Sequence, residues 1–309
     1  MRRKLLLLPF IAGVAMGQMS PPSLRPAGAP AGTPTSPTAL RALFAGPVAS
    51  RLAAADTATV SINPGGIVPL YSTSTTIQPG SFVSIYGQNL ANGTFLPPTV
   101  GYNFPLDMGG SSVTVNGKPA YMYFAGPGQI DIEAPDDTAR STVQVVVTTP
   151  AGSGSSTVNL GDFGPSFLTY AGTHAAGIII RTDGSGSQQN GAYDFLGPTG
   201  SSLGFPTVAA KAGDTIELFG VGFGPTDSPV PAGKPYQCPT AGCAKIPPSS
   251  SLAVFINGAP VTPFFAGVTQ TGVFQFNITI PAGLGTGDVP LTAQVGGVQT
   301  PTGVVISLQ

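Results

Sequence analysis

Short runs of alternating apolar and polar residues extend from about residue 61 to the end of the chain, and turn residues separate them. Val83 and Ile85 are predicted to face one side of a strand, because successive side chains of a β-strand point to opposite faces. The positions predicted to face the other side are Phe82, Ser84 and Tyr86. Short strands at this spacing are typical of an all-β sandwich.

This pattern occurs twice along the chain. The matched segments, in the same order, are 77–90 with 210–223, 113–119 with 254–260, and 129–135 with 275–281. Agreement over several segments matters because short glycine-containing strings recur by chance in a chain with 43 glycines. The offset between the copies increases along the chain, which indicates two insertions in the second copy. We therefore predict one β-sandwich at residues 61–165 and a second at 207–309, each large enough to enclose a core.

Two Asn-Gly pairs occupy matching positions in the copies. Asn116 and Gly117 follow one predicted strand, and Asn257 and Gly258 follow its counterpart. Both central residues of a type I′ turn need positive φ, which Asn and Gly tolerate best, so each pair predicts a tight hairpin.

Residues 166–206 lie between the two copies. An isoleucine run at 178–180 and a polar stretch at 183–191 predict a connecting β segment, an extra hairpin that packs between the sandwiches.

The first 60 residues differ in composition from the rest. Residues 1–17 combine a basic start, a short apolar run and small residues, which predicts a signal peptide cut before Gln18. A membrane anchor is the alternative, but the apolar run is shorter than the roughly 20 residues that span a bilayer. Residues 18–60 are rich in Pro, Ala, Ser and Thr and predict a linker or stalk, with a docking helix as the alternative. We expect a secreted or cell-surface protein without a membrane span after signal removal.

Charge excludes some partners. Charged residues make up 8% of the chain, against a usual level of about 25%. Removing residues 1–17 also removes Arg2, Arg3 and Lys4, so acidic residues would outnumber basic ones. No basic cluster remains to neutralise phosphates, which makes nucleic acid an unsuitable partner.

Cys238 and Cys243 are the two cysteines and lie in one insertion of the second copy. In an oxidising compartment a pair this close is predicted to form a disulfide that closes a small loop. Zinc is the alternative, but the chain has one histidine and no second cysteine pair.

One motif resembles a catalytic pattern. Residues 200–204 fit Gly-x-Ser-x-Gly with Ser202 at its centre, but that pattern needs a strand before the serine and a helix after it. Here Pro198 precedes and Pro206 follows, and His174, the single histidine, lies upstream. We expect Ser202 and His174 to be loop residues and the protein not to be an enzyme.

The densest acidic group consists of Asp131, Glu133, Asp136 and Asp137. Alternation places Asp131 and Glu133 on one face of a strand, with the other two in the following turn. We expect these residues to be solvated turn residues. A calcium site is the alternative, because carboxylates and turn carbonyls provide the oxygen ligands that calcium needs.

Aromatic residues follow both predicted hairpins. They are Tyr121 and Tyr123 in the first copy and Phe264 and Phe265 in the second. We expect these four side chains to pack in the hydrophobic cores. Exposed aromatic platforms of a carbohydrate-binding protein are the alternative, although the chain has no Trp.

Several of these segments together resemble a known family. They are Pro79–Ala91, Val115–Gly117, Gln129–Asp131 with Pro135, Gly213–Asp214, and Gly272–Asn277 with Pro281. Over residues 75–309 the chain resembles the Solibacter-type carboxy-terminal domain of secreted acidobacterial proteins, whose halves are similar to IPT/TIG immunoglobulin-like modules. The resemblance implies two tandem immunoglobulin-like β-sandwiches and implies no catalytic residues.

These observations favour an exported, non-enzymatic binding, adhesion or spacer protein that needs no cofactor. Its expected partner is a protein or polysaccharide ligand at the cell surface. A carbohydrate-binding accessory protein is the first alternative, and a hydrolase is the second.

Overall fold

Residues 59–96, 103–236, 238–239 and 242–309 are described by the structure, a computed structural model. The predicted signal peptide at 1–17 and nearly all of the predicted linker at 18–60 lie outside the described residues.

Ten strands form the first sandwich. They are β1 (Ser61–Pro69), β2 (Thr76–Ile77), β3 (Phe82–Gln88), β4 (Asp107–Met108), β5 (Ser111–Val115), β6 (Lys118–Pro119), β7 (Tyr121–Ala125), β8 (Gln129–Glu133), β9 (Ser141–Thr149) and β10 (Gly152–Leu160). One sheet has the order β1-β3-β8-β7, and the facing sheet has the order β2-β10-β9-β5-β4 with β6 paired to β5. The first of these is called the four-stranded sheet below.

Apolar residues at alternate positions of the two sheets meet in the first core. Representative members are Val83, Ile85, Ile130 and Ile132 from the four-stranded sheet, and Val113, Val115, Val145 and Val147 from the facing sheet. Strand periodicity thus determines which residues are enclosed.

Thirteen strands form the second sandwich. They are β11 (Ser166–Phe167), β12 (Thr169–Tyr170), β13 (His174–Ala175), β14 (Gly177–Ile180), β15 (Tyr193–Phe195), β16 (Thr215–Val221), β17 (Ala253–Ile256), β18 (Ala259–Val261), β19 (Phe265–Gln270), β20 (Val273–Thr279), β21 (Gly287–Val295), β22 (Val298–Gln299) and β23 (Val305–Leu308). One sheet has the order β15-β14-β16-β20-β19 with β11 paired to β16. The other has the order β12-β13-β23-β21-β17-β18 with β22 paired to β21.

The second core repeats the first. Its members include Ile216, Leu218, Phe276 and Ile278 from one sheet, and Val254, Ile256, Leu291 and Ala293 from the other. A single 3-10 turn at Pro248–Ser250 is the only helical element in the described part of the chain. The protein is therefore all-β and consists of two tandem immunoglobulin-like sandwiches, as the sequence predicts.

The connecting segment at 166–206 differs from its prediction. Its hairpin is present, because β14 and β15 pair with Ile178 opposite Phe195. However, β14 also pairs with β16, and β13 pairs with β23, so the segment belongs to the sheets of the second sandwich and does not lie between two finished domains. The physical reason is that the edge of β16 offers backbone partners, while the sheet faces bury Ile178 and Ile179.

Both Asn-Gly pairs connect paired strands. Asn116 and Gly117 have φ of 52° and 74°, and Asn257 and Gly258 have φ of 51° and 77°. Each pair lies between directly opposed residues, so both turns have the positive φ angles of type I′.

A loop of the second sandwich contacts the first. This loop, residues 222–236, lies between β16 and β17 and is called the docking loop. Gly233 donates its N–H to Glu133 Oε2 at 2.7 Å and accepts the N–H of Phe104 at 3.1 Å. Gly224 donates its N–H to Gln78 Oε1 at 2.7 Å, and Gly222 accepts the N–H of Gly164 at 2.9 Å.

Gly233 fits this contact because it has no side chain. Its φ is 80°, and a Cβ at this position would overlap the Tyr121 ring. Both the backbone conformation and the close approach therefore require glycine.

None of the helices in the described residues is long and apolar enough to span a membrane.

Candidate binding site

A buried carboxylate lies at the centre of the four-stranded sheet, on the face opposite the core. Asp131 on β8 is directly opposite Ser84 on β3 and is 3% exposed. Ser84 Oγ donates to Asp131 Oδ1 at 2.6 Å, and Gln129 Nε2 donates to Oδ1 at 2.8 Å and Oδ2 at 3.1 Å. Strand alternation produces this arrangement, because Ile130 and Ile132 point into the core and the residue between them must point outward.

The Asp131 carboxyl titrates above its usual range. Burial raises its pKa to about 6, while the hydrogen bonds from Gln129 and Ser84 act in the opposite direction. Because these donors already occupy its oxygens, the carboxylate is better suited to hold neighbouring groups in place than to bind a ligand directly.

Three tyrosines surround this carboxylate and are called the tyrosine cluster. They are Tyr71, Tyr86 and Tyr123, and all three side chains are partly exposed. Burial is the main cause that raises the pKa of each hydroxyl, and the negative charge of Asp131 raises it further. The hydroxyls are consequently protonated at neutral pH and available as hydrogen-bond donors.

Tyr71 is held in an unusual backbone conformation. Its φ is 58°, in the left-handed region that a large side chain seldom occupies. It lies in the turn after β1, where Leu70 donates its N–H to Phe82 O at 3.0 Å and Ser72 to Pro69 O at 2.9 Å. Such strain is concentrated at functional sites, so Tyr71 is a candidate ligand contact.

The tyrosine cluster extends to the contact between the sandwiches. The ring centroid of Tyr123 lies 4.9 Å from that of Phe82 and 5.5 Å from that of Phe104, both edge to face. The N–H of Phe104 donates a hydrogen bond to Gly233 O of the docking loop, and the Phe82 ring packs against Gly272 of the second sandwich. The second sandwich therefore supports one side of the cluster.

The other acidic residues of the predicted group have separate roles. Glu133 is 1% exposed and accepts the N–H of Gly233, and burial raises its pKa to about 8. Asp136 Oδ2 accepts the N–H of Ala232 at 3.3 Å. Asp137 accepts the N–H of Ala139 at 2.8 Å, and this bond is the main cause that lowers its pKa.

The calcium alternative is not supported by this arrangement. The four carboxylates face different protein donors, and within the described ranges no three His, Cys, Asp or Glu side chains converge as a metal site would require. Asp131 and Glu133 share a strand face as predicted, but they are buried and are not solvated turn residues.

The second sandwich contains a related polar pair. Glu217 on β16 is directly opposite Asn277 on β20, and Asn277 Nδ2 donates to Glu217 Oε1 at 3.3 Å. Gln275 Nε2 donates to Asn277 Oδ1 at 2.7 Å. Burial raises the pKa of Glu217 to about 7. By the offset of the repeat, Glu217, Asn277 and Gln275 occupy the positions of Ser84, Asp131 and Gln129.

Two open hollows lie elsewhere on the molecule. A cleft of about 370 Å³ between the sandwiches is lined by the docking loop prolines and by Arg140 and Asp162, which pair at 2.5 Å. A hollow of about 590 Å³ on the second sandwich contains Arg181, whose guanidinium pairs with Asp194 at 2.8 Å and Asp214 at 3.0 Å. In both hollows the arginine already pairs with aspartate.

Ser202 and His174 do not form a catalytic site, and His174 is partly buried on strand β13, where it pairs with β12 and β23, and does not lie in the predicted loop. Ser202 lies in a turn between Gly200 and Gly204, with no helix after it. The His174 ring contacts Thr173 Oγ1 at 3.2 Å and Asp288 Oδ2 at 3.1 Å. These partners do not include Ser202, so the arrangement differs from that of a serine hydrolase.

The two cysteines form a disulfide, as predicted from their spacing. It lies next to the docking loop, whose Tyr236 donates its N–H to Thr271 Oγ1 at 2.8 Å and accepts the N–H of Ala244 on its hydroxyl at 2.9 Å. The crosslink closes residues 238–243, which directly follow the docking loop in the sequence.

The aromatic residues singled out in the sequence have different fates. Tyr121 packs on Gly233, and Tyr123 belongs to the tyrosine cluster. Phe265 is partly buried, whereas Phe264 is 64% exposed. Tyr71 is not among the residues predicted from the sequence. Ser84 and Tyr86 are predicted to lie on the strand face opposite Val83 and Ile85, but not to form a site. A serine opposite an aspartate in paired strands is the signal that could have indicated the site.

No family model matches the chain, and none of the curated proteins matches it. SGBP-B of the Bacteroides ovatus mixed-linkage glucan utilization locus, solved with a mixed-linkage heptasaccharide, is 10% identical with a TM-score of 0.34. The chain is covered over 81% of its length in that match and spans 45% of the other protein.

Two further solved structures show similar values. SGBP-B from a complex xyloglucan utilization locus in Bacteroides uniformis is 11% identical with a TM-score of 0.21, covering 80% of this chain and 49% of that one. The titin I9–I11 tandem is 10% identical with a TM-score of 0.20, covering 81% of this chain and 66% of that one. At these identities and scores the matches say nothing about ligand or activity.

Proposed function

We propose that the protein is an exported, non-enzymatic binding protein of the cell surface or extracellular space that acts by contact. The tyrosine cluster carries this proposal, because it combines partly exposed aromatic rings with a buried polar centre on a face that the docking loop supports from one side. Concave or supported aromatic surfaces with a few fixed polar groups are typical of ligand sites. The signal-like residues 1–17 and the disulfide support export.

Two contact functions remain compatible with the fold. An adhesion or spacer role would use the two sandwiches as a body that presents a protein-binding surface, and the hydrogen bonds of the docking loop support it. A carbohydrate-binding accessory role is the second candidate, and the tyrosine cluster favours it. A hydrolase needs Ser202 to act with His174, whose hydrogen-bond partners are Thr173 and Asp288. We also propose membership of the Solibacter-type family, on the resemblance of residues 75–309.

A retention experiment tests the proposal. The full chain, labelled at its amino terminus after export, is incubated with envelope fractions of the producing cells and with insoluble polysaccharides, and bound protein is measured after sedimentation. We expect saturable retention on at least one of these materials. Retention on none of them, or an esterase activity that Ser202→Ala removes, would contradict a contact function.

A further inference from the structure

We propose that the tyrosine cluster is the binding site for a neutral saccharide and that the tyrosine rings and the Gln129 carboxamide are its contacts. This inference rests on the proposed binding function and adds a ligand class and a location to it.

The site is uncharged from the side that a ligand reaches. Asp131 is buried, and its two oxygens accept hydrogen bonds from Ser84 and Gln129. A cationic ligand would have to reach a carboxylate that is 3% exposed and already accepts three hydrogen bonds. The residues that remain partly exposed are the three tyrosines and Gln129.

Gln129 is oriented for recognition of hydroxyl groups. Its Nε2 makes both contacts to Asp131, so its Oε1 must point away from the carboxylate. A carboxamide fixed in this way presents a hydrogen-bond acceptor at a defined position. Asp131 is therefore a positioning residue, and Gln129 is the contact residue.

The tyrosines provide the complementary parts of the site. Aromatic rings pack against the C–H faces of sugar rings through apolar contact, and a phenol group at the ring edge can donate to or accept from a sugar hydroxyl. Three partly exposed tyrosines around one carboxamide thus match a ligand that has both apolar faces and uncharged hydroxyls. Tyr71 also has a strained backbone, with φ of 58°, which is a feature of functional sites.

The second sandwich provides an internal comparison. The repeat places Phe219 at the position of Tyr86, and Phe219 is completely buried. The large aromatic residue of the second copy that is most exposed in the described chain is Phe264, at 64%, and its N–H donates to Asn277 O at 2.9 Å. Phe264 is therefore a matched control for loss of an exposed ring.

The test is affinity electrophoresis of the full chain in gels that contain a neutral polysaccharide. The probes are mixed-linkage β-glucan, xyloglucan, starch and mannan, with polygalacturonate as the anionic control. Variants Tyr86→Ala, Gln129→Ala and Phe264→Ala are compared with the parent protein, and circular dichroism and thermal unfolding establish that each is folded. Tyr86→Phe, which keeps the ring, is included in case Tyr86→Ala does not fold.

We expect at least one neutral polysaccharide to retard the protein. Tyr86→Ala and Gln129→Ala should each weaken binding by about tenfold, the size typical of a contact residue at the centre of a site. Phe264→Ala should be retarded as strongly as the parent protein. A gel that contains polygalacturonate should not retard the protein.

Other outcomes overturn the inference in distinguishable ways. Retardation that folded Tyr86→Ala and Gln129→Ala retain would place the sugar site elsewhere and leave the binding function standing. Binding of a synthetic peptide of residues 20–37, a proline-rich sequence, that folded Tyr86→Ala loses, without any sugar binding by the parent protein, would assign the cluster to peptides. No retardation by any probe, together with retention on envelope fractions, would reject the saccharide but not the binding function.

Discussion

The two sandwiches bury an acid at the same place in the same sheet, but on opposite strands. In the first copy the acid is Asp131 on β8 and faces Ser84, whereas in the second copy it is Glu217 on β16 and faces Asn277. The fold thus accepts a polar pair at this point from either strand. The buried polar pair is therefore common to both sandwiches, and the residues around it distinguish the two copies.

Those surroundings differ because of the neighbouring strand. In the second copy, β14 from the connecting segment pairs with β16 and places the fully buried Ile178 opposite Glu217. In the first copy, β1 lies at that edge and leads into the turn that carries Tyr71. Val68 of β1 lies opposite Ser84, so both centres have a buried aliphatic neighbour on this side, and the partly exposed tyrosines distinguish the first centre.

The largest effect is expected from matched truncations of the two cores. Ile132→Ala and Ile278→Ala each remove a fully buried side chain at the corresponding position. Each should lower the free energy of unfolding by roughly 2 to 5 kcal/mol, because the lost contacts leave a cavity. Urea denaturation followed by tyrosine fluorescence checks this. A loss below about 1 kcal/mol at one site only would show that the cores are not equivalent.

The buried acids make stability depend on pH in a defined direction. Burial raises the pKa of Glu133 to about 8 and of Glu217 to about 7, from the ordinary value of 4.5. Between pH 4.5 and 7 to 8 the unfolded chain binds fewer protons than the folded chain. The stabilisation by the two protonated glutamic acids is therefore complete below about pH 4.5 and is lost as the pH rises toward 7 to 8. The melting temperature should fall over this range.

Neutral replacements separate the two copies. Glu133→Gln and Glu217→Gln keep an oxygen acceptor but remove the titration, so each should reduce the fall in melting temperature between pH 4.5 and 8, by roughly 5 °C. Differential scanning calorimetry at several pH values measures this. A parent protein that is more stable at pH 8 than at pH 4.5 would contradict the sign of both shifts.

An intermediate effect is expected at the disulfide, which only the second copy contains. Cys238→Ser with Cys243→Ser should lower stability by about 2 kcal/mol, because the crosslink closes a short loop. The docking loop should become more accessible, and limited proteolysis near residues 234–236 reports on it. Unchanged proteolysis would show that the other contacts of Tyr236 suffice to hold the loop.

The smallest effect is expected at the first hairpin, where the first copy has an ion pair. Lys118 Nζ lies 3.4 Å from Asp137 Oδ2 at the surface. Lys118→Ala should cost less than about 1 kcal/mol, since water screens exposed pairs. In the second copy, Asn257 Nδ2 instead donates to Leu284 O at 3.0 Å. A loss above about 2 kcal/mol in thermal unfolding would reject this assignment.

Features that depend on neighbouring residues could be predicted from the sequence. The two Asn-Gly turns follow from local backbone preference, and the shared outward face of Asp131 and Glu133 follows from strand periodicity. The disulfide follows from the spacing of its cysteines. These signals are contained within a few consecutive residues.

Features that depend on distant pairing could not be predicted in this way. Tyr71 meets Asp131 only after β1, β3 and β8 have paired, and Gly233 meets Glu133 across 100 residues of chain. The position of 166–206 in the second sandwich likewise follows from the backbone edge that β16 offers to β14. Nothing in the composition of these segments specifies the partner.

The docking loop gives the tandem a direction. Gly222, Gly224 and Gly233 of the second copy make hydrogen bonds with Gly164, Gln78 and Glu133, and the segment between β16 and β17 that contains them is longer than its counterpart between β3 and β5. A further unit of the first type, added at either end, would therefore lack this junction. Lengthening such a protein by simple repetition would yield units connected only by the chain, and only the present pair would be joined by these hydrogen bonds.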